Sequence, residues 1–156
     1  MGDFRPYALL KAYTPNAEKI AIEAAALCYN SESSEKILKF ILASGHESVI
    51  EHNAYTFEVC VARVISQMFT RHRIASFSQR SQRYVVEDAF TYYIPPEIAK
   101  NEEAIVYYEA LQKEIQQLYT GFIELGVPAE KARFMLTNAT ETTFFMTANA
   151  RSGGIF

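Results

Sequence analysis

The sequence predicts a single α/β (α+β) domain over residues 1–156: a mixed sheet flanked by helices, one of them long and heptad-like. Three observations predict it. Apolar residues recur at helical spacing in several separate stretches. Two other stretches alternate, or are rich in β-branched and aromatic residues, as half-buried strands are. Finally, 156 residues with 49% apolar content are enough for one core and too few for two comfortable ones. An aromatic content of 13% argues against disorder, and the few Gly and Pro exclude collagenous and low-complexity classes. No apolar run approaches the roughly 18 residues of a membrane-spanning helix.

Residues 17–29 (AEKIAIEAAALCY) read as a helix whose apolar face is Ile20, Ala24, Leu27 and Cys28, capped by Thr14 or Asn16. Residues 34–44 form a second helix, with Ile37, Leu38, Ile41 and Leu42 on its apolar face and Gly45 as its stop. Residues 53–61 alternate, placing Tyr55, Phe57, Val59 and Val61 on one side of a strand. A short helix over 62–70 leads into a polar, arginine-rich loop. From Pro96 to Leu125 the pattern predicts one long helix. Its seam of Ala104, Tyr108, Leu111, Ile115, Leu118, Phe122 and Leu125 is either a core face, the favoured reading, or an intersubunit contact. Gly126 and Pro128 end it. PAEKARFML opens another short helix, and residues 139–148 form a strand.

The net charge of −3 is ordinary, but its distribution is not. Five of the eight arginines lie between Arg63 and Arg83 (Arg63, Arg71, Arg73, Arg80, Arg83), and no Asp or Glu occurs from Val59 to Val86. A cationic patch on an acidic body suggests a focused anion site. Arginine suits phosphate in particular, because its planar fork makes paired hydrogen bonds. The competing reading is a solvated loop whose arginines pair with acids from elsewhere.

The segment from His46 to His52 invites a metal reading, but its histidines are six apart and position 50 is Ile, so no metal is expected there. Cys28 falls on a predicted apolar face and Cys60 lies between two valines, so both are expected in the core, leaving no obvious covalent nucleophile. Two cysteines make no disulfide framework, and MGDFRPYALL lacks the layout of a signal peptide; a cytoplasmic protein is expected. The stretch RHRIASFSQRSQRY offers Arg, Ser and Gln donors, with Ile74 and Phe77 to pin it to the body, and no carboxylate base. It is suited to holding anions, so chemistry would come from a bound cofactor.

This stretch resembles the signature RHRxxSxxxxSxRY of flavin-dependent thymidylate synthase. Every fixed position is filled, by Arg71, His72, Arg73, Ser76, Ser81, Arg83 and Tyr84. The resemblance extends over essentially the whole chain: Leu27-Cys28-Tyr29 at a helix end, Gly45-His46-Glu47-Ser48 with Glu51-His52, Ala132-Arg133, and Asn149-Ala150-Arg151. It implies the family's α/β fold and an enzyme that methylates dUMP to dTMP with FAD, methylenetetrahydrofolate and NADPH. It further implies a homotetramer with shared sites. Without a spanning run, and with an acidic remainder of the chain, neither membrane nor nucleic-acid partners are expected. By residue match, His46, Ser48, Arg71, His72, Arg73, Asn149 and Arg151 contact FAD, with His46 also near the folate. Gln79, Ser81, Arg83 and Arg133 hold dUMP, Arg83 and Arg133 near its phosphate, and Ser81 and Arg83 stand as the catalytic positions.

The match departs from the family in three places. A C-terminal segment with an Asn-Leu-Arg-like element and an Ala-Gln-Trp-Glu-like block is expected but absent, and Ser152–Phe156 stands there instead. Met68 occupies a position where Gln is expected, and Thr137 one where Pro is common. Two alternatives therefore stand beside an active enzyme: a catalytically defective FAD- or nucleotide-binding homologue, and an arginine-rich nucleic-acid-binding module.

Overall fold

A computed structural model describes residues 4–87 and 91–154. It has four strands and seven α-helical segments among the described residues: β1 (Tyr7–Tyr13), α1 (Ala17–Tyr29), α2 (Glu35–Ala43), β2 (Ala54–Ala62), α3 (Arg63–Phe69), β3 (Ser76–Gln79), α4 (Pro96–Ala99), α5 (Glu102–Glu124), α6 (Ala129–Ala132), β4 (Glu141–Asn149) and α7 (Ala150–Gly153). The expected α/β class stands. The sheet is antiparallel where a mixed one was expected, with strand order β1-β2-β4-β3. The chain divides into two compact units. The first comprises Met1–Tyr7, Val59–Arg71 and Gln79–Phe144; the second comprises Ala8–Glu58, His72–Ser78 and Phe145–Phe156. None of the described helices is long and apolar enough to cross a membrane.

In the second unit α1 and α2 pack through Ala21, Ala25, Leu38 and Ile41, joined by Val49, Ile50 and Ala150. The face expected of α2 is the one observed. That of α1 is not: Ala21, Ala25 and Ala26 are buried, whereas Leu27 is 84% exposed and Cys28 is exposed rather than in the core. Alanines let the helix surface approach its neighbours closely, so the small side chains, not the large ones, mark the packed face. Both ends of α1 are asparagines in the left-handed region, Asn16 at φ 56° and Asn30 at φ 46°. Ser34 Oγ caps α2 by accepting from the Ile37 N–H at 3.4 Å. Past the end of α2, Gly45 takes φ 77°, a conformation glycine adopts without penalty. Asn53 is fully buried and ties several segments together. Its Nδ2 donates to the Ala17 carbonyl at 2.9 Å, and its own carbonyl accepts from the Ala150 N–H at 2.8 Å.

In the first unit the core holds Val59, Cys60, Val61 and Ala62 of β2 with Tyr119 and Phe144. The expected alternation of β2 fails here, since four consecutive residues are buried and the strand is covered on both faces. The long helix is interrupted at Lys100–Asn101. Asn101 caps α5 by accepting at its Oδ1 from the Glu103 and Ala104 N–H groups at 3.1 and 3.0 Å. Its buried residues are Gln112 and Tyr119, each one place beyond the predicted seam, and Leu111, Leu118 and Leu125 are exposed. The seam as a whole is therefore not the core face. The departure at Thr137 has a structural partner: its hydroxyl donates to Oε1 of buried Gln112 at 3.1 Å, which proline could not do.

Two strands escape the sequence reading. β1 (YALLKAY) has no period-2 pattern because all seven of its residues are exposed at the sheet edge. β3 lies inside the stretch read as a loop. It does alternate, with Phe77 and Gln79 half-buried and Ser76 and Ser78 exposed, but its serines and short length hide the signal.

Candidate functional site

The first unit carries Arg71, Gln79, Ser81, Arg83 and Arg133. Gln79 ends β3, and its amide nitrogen donates to Ser66 Oγ at 2.8 Å and Thr142 Oγ1 at 3.0 Å. Both amide hydrogens are thus committed inside the unit, and the carbonyl oxygen is the group left to meet a ligand. After β3 the chain turns on Ser81, whose hydroxyl accepts from the Arg83 N–H at 3.2 Å and whose carbonyl accepts from Val85 at 3.1 Å. Two ion pairs frame this turn. Arg80 Nη2 donates to Glu87 Oε2 at 2.9 Å, where the Glu87 side chain is only 7% exposed, and the Glu87 N–H donates to the buried Tyr119 hydroxyl at 3.1 Å. Arg83 Nη2 lies 3.3 Å from Glu130 Oε2, with its guanidinium 5.5 Å from the centre of the Tyr84 ring.

Arg133 reaches the same residue by another route: its Nε donates to the Glu130 carbonyl at 3.1 Å. Glu130 also pairs with Lys131 at 3.3 Å. Its carboxyl is held below the ordinary carboxylate value, first by the Lys131 hydrogen bond and then by Arg83. A depressed carboxylate keeps its pairing at neutral pH and loses it only as acidification passes through that lowered value. The two arginines read as phosphate ligands therefore converge on one acidic residue.

The second unit carries His46, Ser48, His72, Arg73, Asn149 and Arg151. His46 follows Gly45 at the start of a short 3-10 turn, and its Nδ1 is 2.8 Å from the Tyr29 hydroxyl. Ser48 is exposed in that turn. Asn149 caps α7, accepting at Oδ1 from the Ser152 N–H at 2.8 Å. Arg151 is clamped by two carboxylates: Nε lies 3.3 Å from Glu47, and Nη1 is bonded to Glu51. Glu51 first, then Glu47, pushes its pKa above an already high value, so it stays cationic. Arg151 and Asn149 line a cavity of about 430 Å³ with Glu47, Glu51, Ile74 and Ser152. Ile74 is 69% exposed and so does not pin the segment down; Phe77, half-buried, does.

The choice between an anion site and a compensated loop resolves differently along the segment. Arg80 and Arg83 pair with acids supplied from outside the stretch. Arg71, His72 and Arg73 are exposed, and none has a side-chain partner among the described residues. Met68, where glutamine is expected, is exposed on α3. Sequence reasoning missed Glu130, Glu87 and Tyr29. The spacing of Glu130 from Arg133 was the available signal for the first, whereas the partnerships of Glu87 and Tyr29 appear only on folding. No group of three or more His, Cys, Asp or Glu that could hold a metal occurs among the described residues.

A family model described as "Thymidylate synthase complementing protein" matches residues 9–153. The flavin-dependent thymidylate synthase of Geobacter sulfurreducens is 40% identical over 157 residues, covering 91% of this chain and 68% of that protein. That of Clostridium tetani is 40% identical over 172 residues, covering 92% and 69%. That of Pyrococcus furiosus is 42% identical over 123 residues, covering 75% and 50%. Among solved structures, the UMP/dUMP methylase PolB from Streptomyces cacaoi, bound with 5-Br dUMP, superposes with a TM-score of 0.82. At 21% identity, covering 95% of this chain and 74% of that one, it supports the fold alone. The signature around Arg71–Tyr84 thus sits in a chain that matches the family along nearly its whole length, and this protein belongs to the flavin-dependent thymidylate synthase family.

Proposed function

We propose that this chain catalyses the FAD-dependent reductive methylation of dUMP to dTMP, with methylenetetrahydrofolate as carbon donor and NADPH as reductant. The observation that carries the reading is the run Arg71-His72-Arg73, exposed and without carboxylate partners among the described residues. Such uncompensated donors fit the pyrophosphate of FAD, so the residues present suit the cofactor. Arg71, His72 and Arg73 would hold its phosphates, and His46, Ser48, Asn149 and Arg151 its remaining polar groups. When bound, FAD supplies the hydride chemistry for which the side chains have no equivalent.

The chain's own share is binding and orientation. Arg83 and Arg133 take the nucleotide phosphate with the N–H groups that Glu130 leaves open. Ser81 is poised by its contact with the Arg83 N–H, and its hydroxyl proton remains to donate to the nucleotide. Gln79 offers an acceptor. Together these groups fix the pyrimidine in one pose and stabilise negative charge that develops on it. Cys60 is buried and Cys28 lies on α1, and neither is assigned a covalent role.

Two measurements test the assignment. Purified protein is expected to carry flavin absorbance and to release tritium from 5-tritiated deoxyuridylate when all co-substrates are supplied. Flavin binding without release would leave the defective-homologue reading. Absence of flavin with steeply salt-dependent polynucleotide binding would favour the nucleic-acid reading.

The assembly we propose is a cytoplasmic homotetramer. Exposed Tyr107, Leu111 and Leu118 recur along α5 and Leu125 caps its end, an apolar row that a second copy of the chain would cover. Light scattering is expected to give a mass four times the 17.7 kDa of one chain; a monomeric mass would remove the proposal.

A further inference from the structure

The convergence of Arg83 and Arg133 on Glu130 has a function of its own. Glu130 contacts Arg83 through its carboxylate and Arg133 through its backbone carbonyl. One N–H of each guanidinium is committed, and the others are left open. Each guanidinium also lies near an aromatic ring, Arg83 by Tyr84 at 5.5 Å and Arg133 by Phe134 at 5.9 Å. With Lys131 the cluster holds three cations and one carboxylate, an excess of two positive charges. That excess matches a doubly ionised phosphate monoester.

We propose that Glu130 is a positioning residue of the nucleotide phosphate site, holding Arg83 and Arg133 at one spacing so that their open N–H groups meet a single terminal phosphate. The proposal rests on the assignment of both arginines to that phosphate. A free arginine side chain gives up considerable rotamer freedom when it closes on an anion. An arginine already held in place gives up less, and the difference appears as affinity. The opposing effect is repulsion between the Glu130 carboxylate and the incoming phosphate. Because that carboxylate is already balanced by Arg83 and Lys131 and sits in solvent, the ordering effect outweighs it.

The test is titration of the whole protein with dUMP and with deoxyuridine, which lacks the phosphate. Glu130→Ala is expected to weaken dUMP binding about three- to tenfold and to leave deoxyuridine binding unchanged. In turnover it raises KM for dUMP with kcat preserved. Glu130→Gln retains an acceptor oxygen and is expected to stay within about twofold of the parent. In an Arg83→Ala background, Glu130→Ala is expected to add little further loss. Affinity for dUMP that is unchanged or tighter in Glu130→Ala, while Arg83→Ala alone has lost affinity, overturns the role of Glu130 only. Unchanged affinity in Arg83→Ala overturns the phosphate assignment itself, and this proposal with it. Because the pair is exposed, the thermal midpoint is expected to move little, which keeps the binding result separate from folding.

Discussion

The double variant Arg83→Ala/Arg133→Ala is expected to lose about a hundredfold or more in dUMP affinity, measured by calorimetric titration. Hydrogen bonds to charged groups contribute about 1.5–3 kcal/mol each, so each single change should cost roughly tenfold or more. The hundredfold figure takes the two single losses as additive; because both side chains are anchored on Glu130 and would act on one phosphate, any departure from it measures their coupling. The loss should be confined to ligands that carry the phosphate: deoxyuridine binds the parent and the double variant alike. Arg83 is half exposed and its ion pair with Glu130 is a surface pair, so folding should be nearly unaffected. Parent-like dUMP affinity in the double variant would remove the phosphate site from this part of the chain.

The second large effect concerns stability. Arg80→Ala removes the arginine that pairs at 2.9 Å with Glu87, whose side chain is only 7% exposed. Removing one member of a fully buried pair costs about 3–5 kcal/mol. Arg80 itself is about half exposed, so water takes over part of its role and the expected cost falls to about 2–3 kcal/mol. For a chain of this size that is a drop of roughly 5–10 °C in the unfolding midpoint. Arg80→Ala/Glu87→Gln should recover part of it, since the buried carboxylate charge is then removed together with its arginine. A double variant no more stable than the single one would show that the ion pair is not what matters.

The contiguous residues of the proposed site were legible in the sequence, and the partners that folding brings to them were not. Arg71 through Tyr84 lie within one short stretch, so composition and spacing exposed them together. Glu87 and Glu130 lie outside it and reach Arg80 and Arg83 only through the turn after β3 and the placement of α6. The fold divides in the same way. Helix α2 was readable because large apolar residues line its buried face, whereas α1 was misread because alanines line its own. On α5 the buried positions are Gln112 and Tyr119, whose polar atoms are satisfied by Thr137 and Glu87. A seam drawn at heptad spacing through Leu111 and Leu118 passes one place to the side of both.

The two left-handed asparagines that bracket α1 fix what those positions tolerate. At Asn16 and Asn30 the backbone is forced into a region that side chains branched at Cβ enter only at considerable cost. A saturation library at either site should therefore rank by tolerance of positive φ and not by helix-forming tendency, with glycine and aspartate surviving and valine, isoleucine and proline depleted.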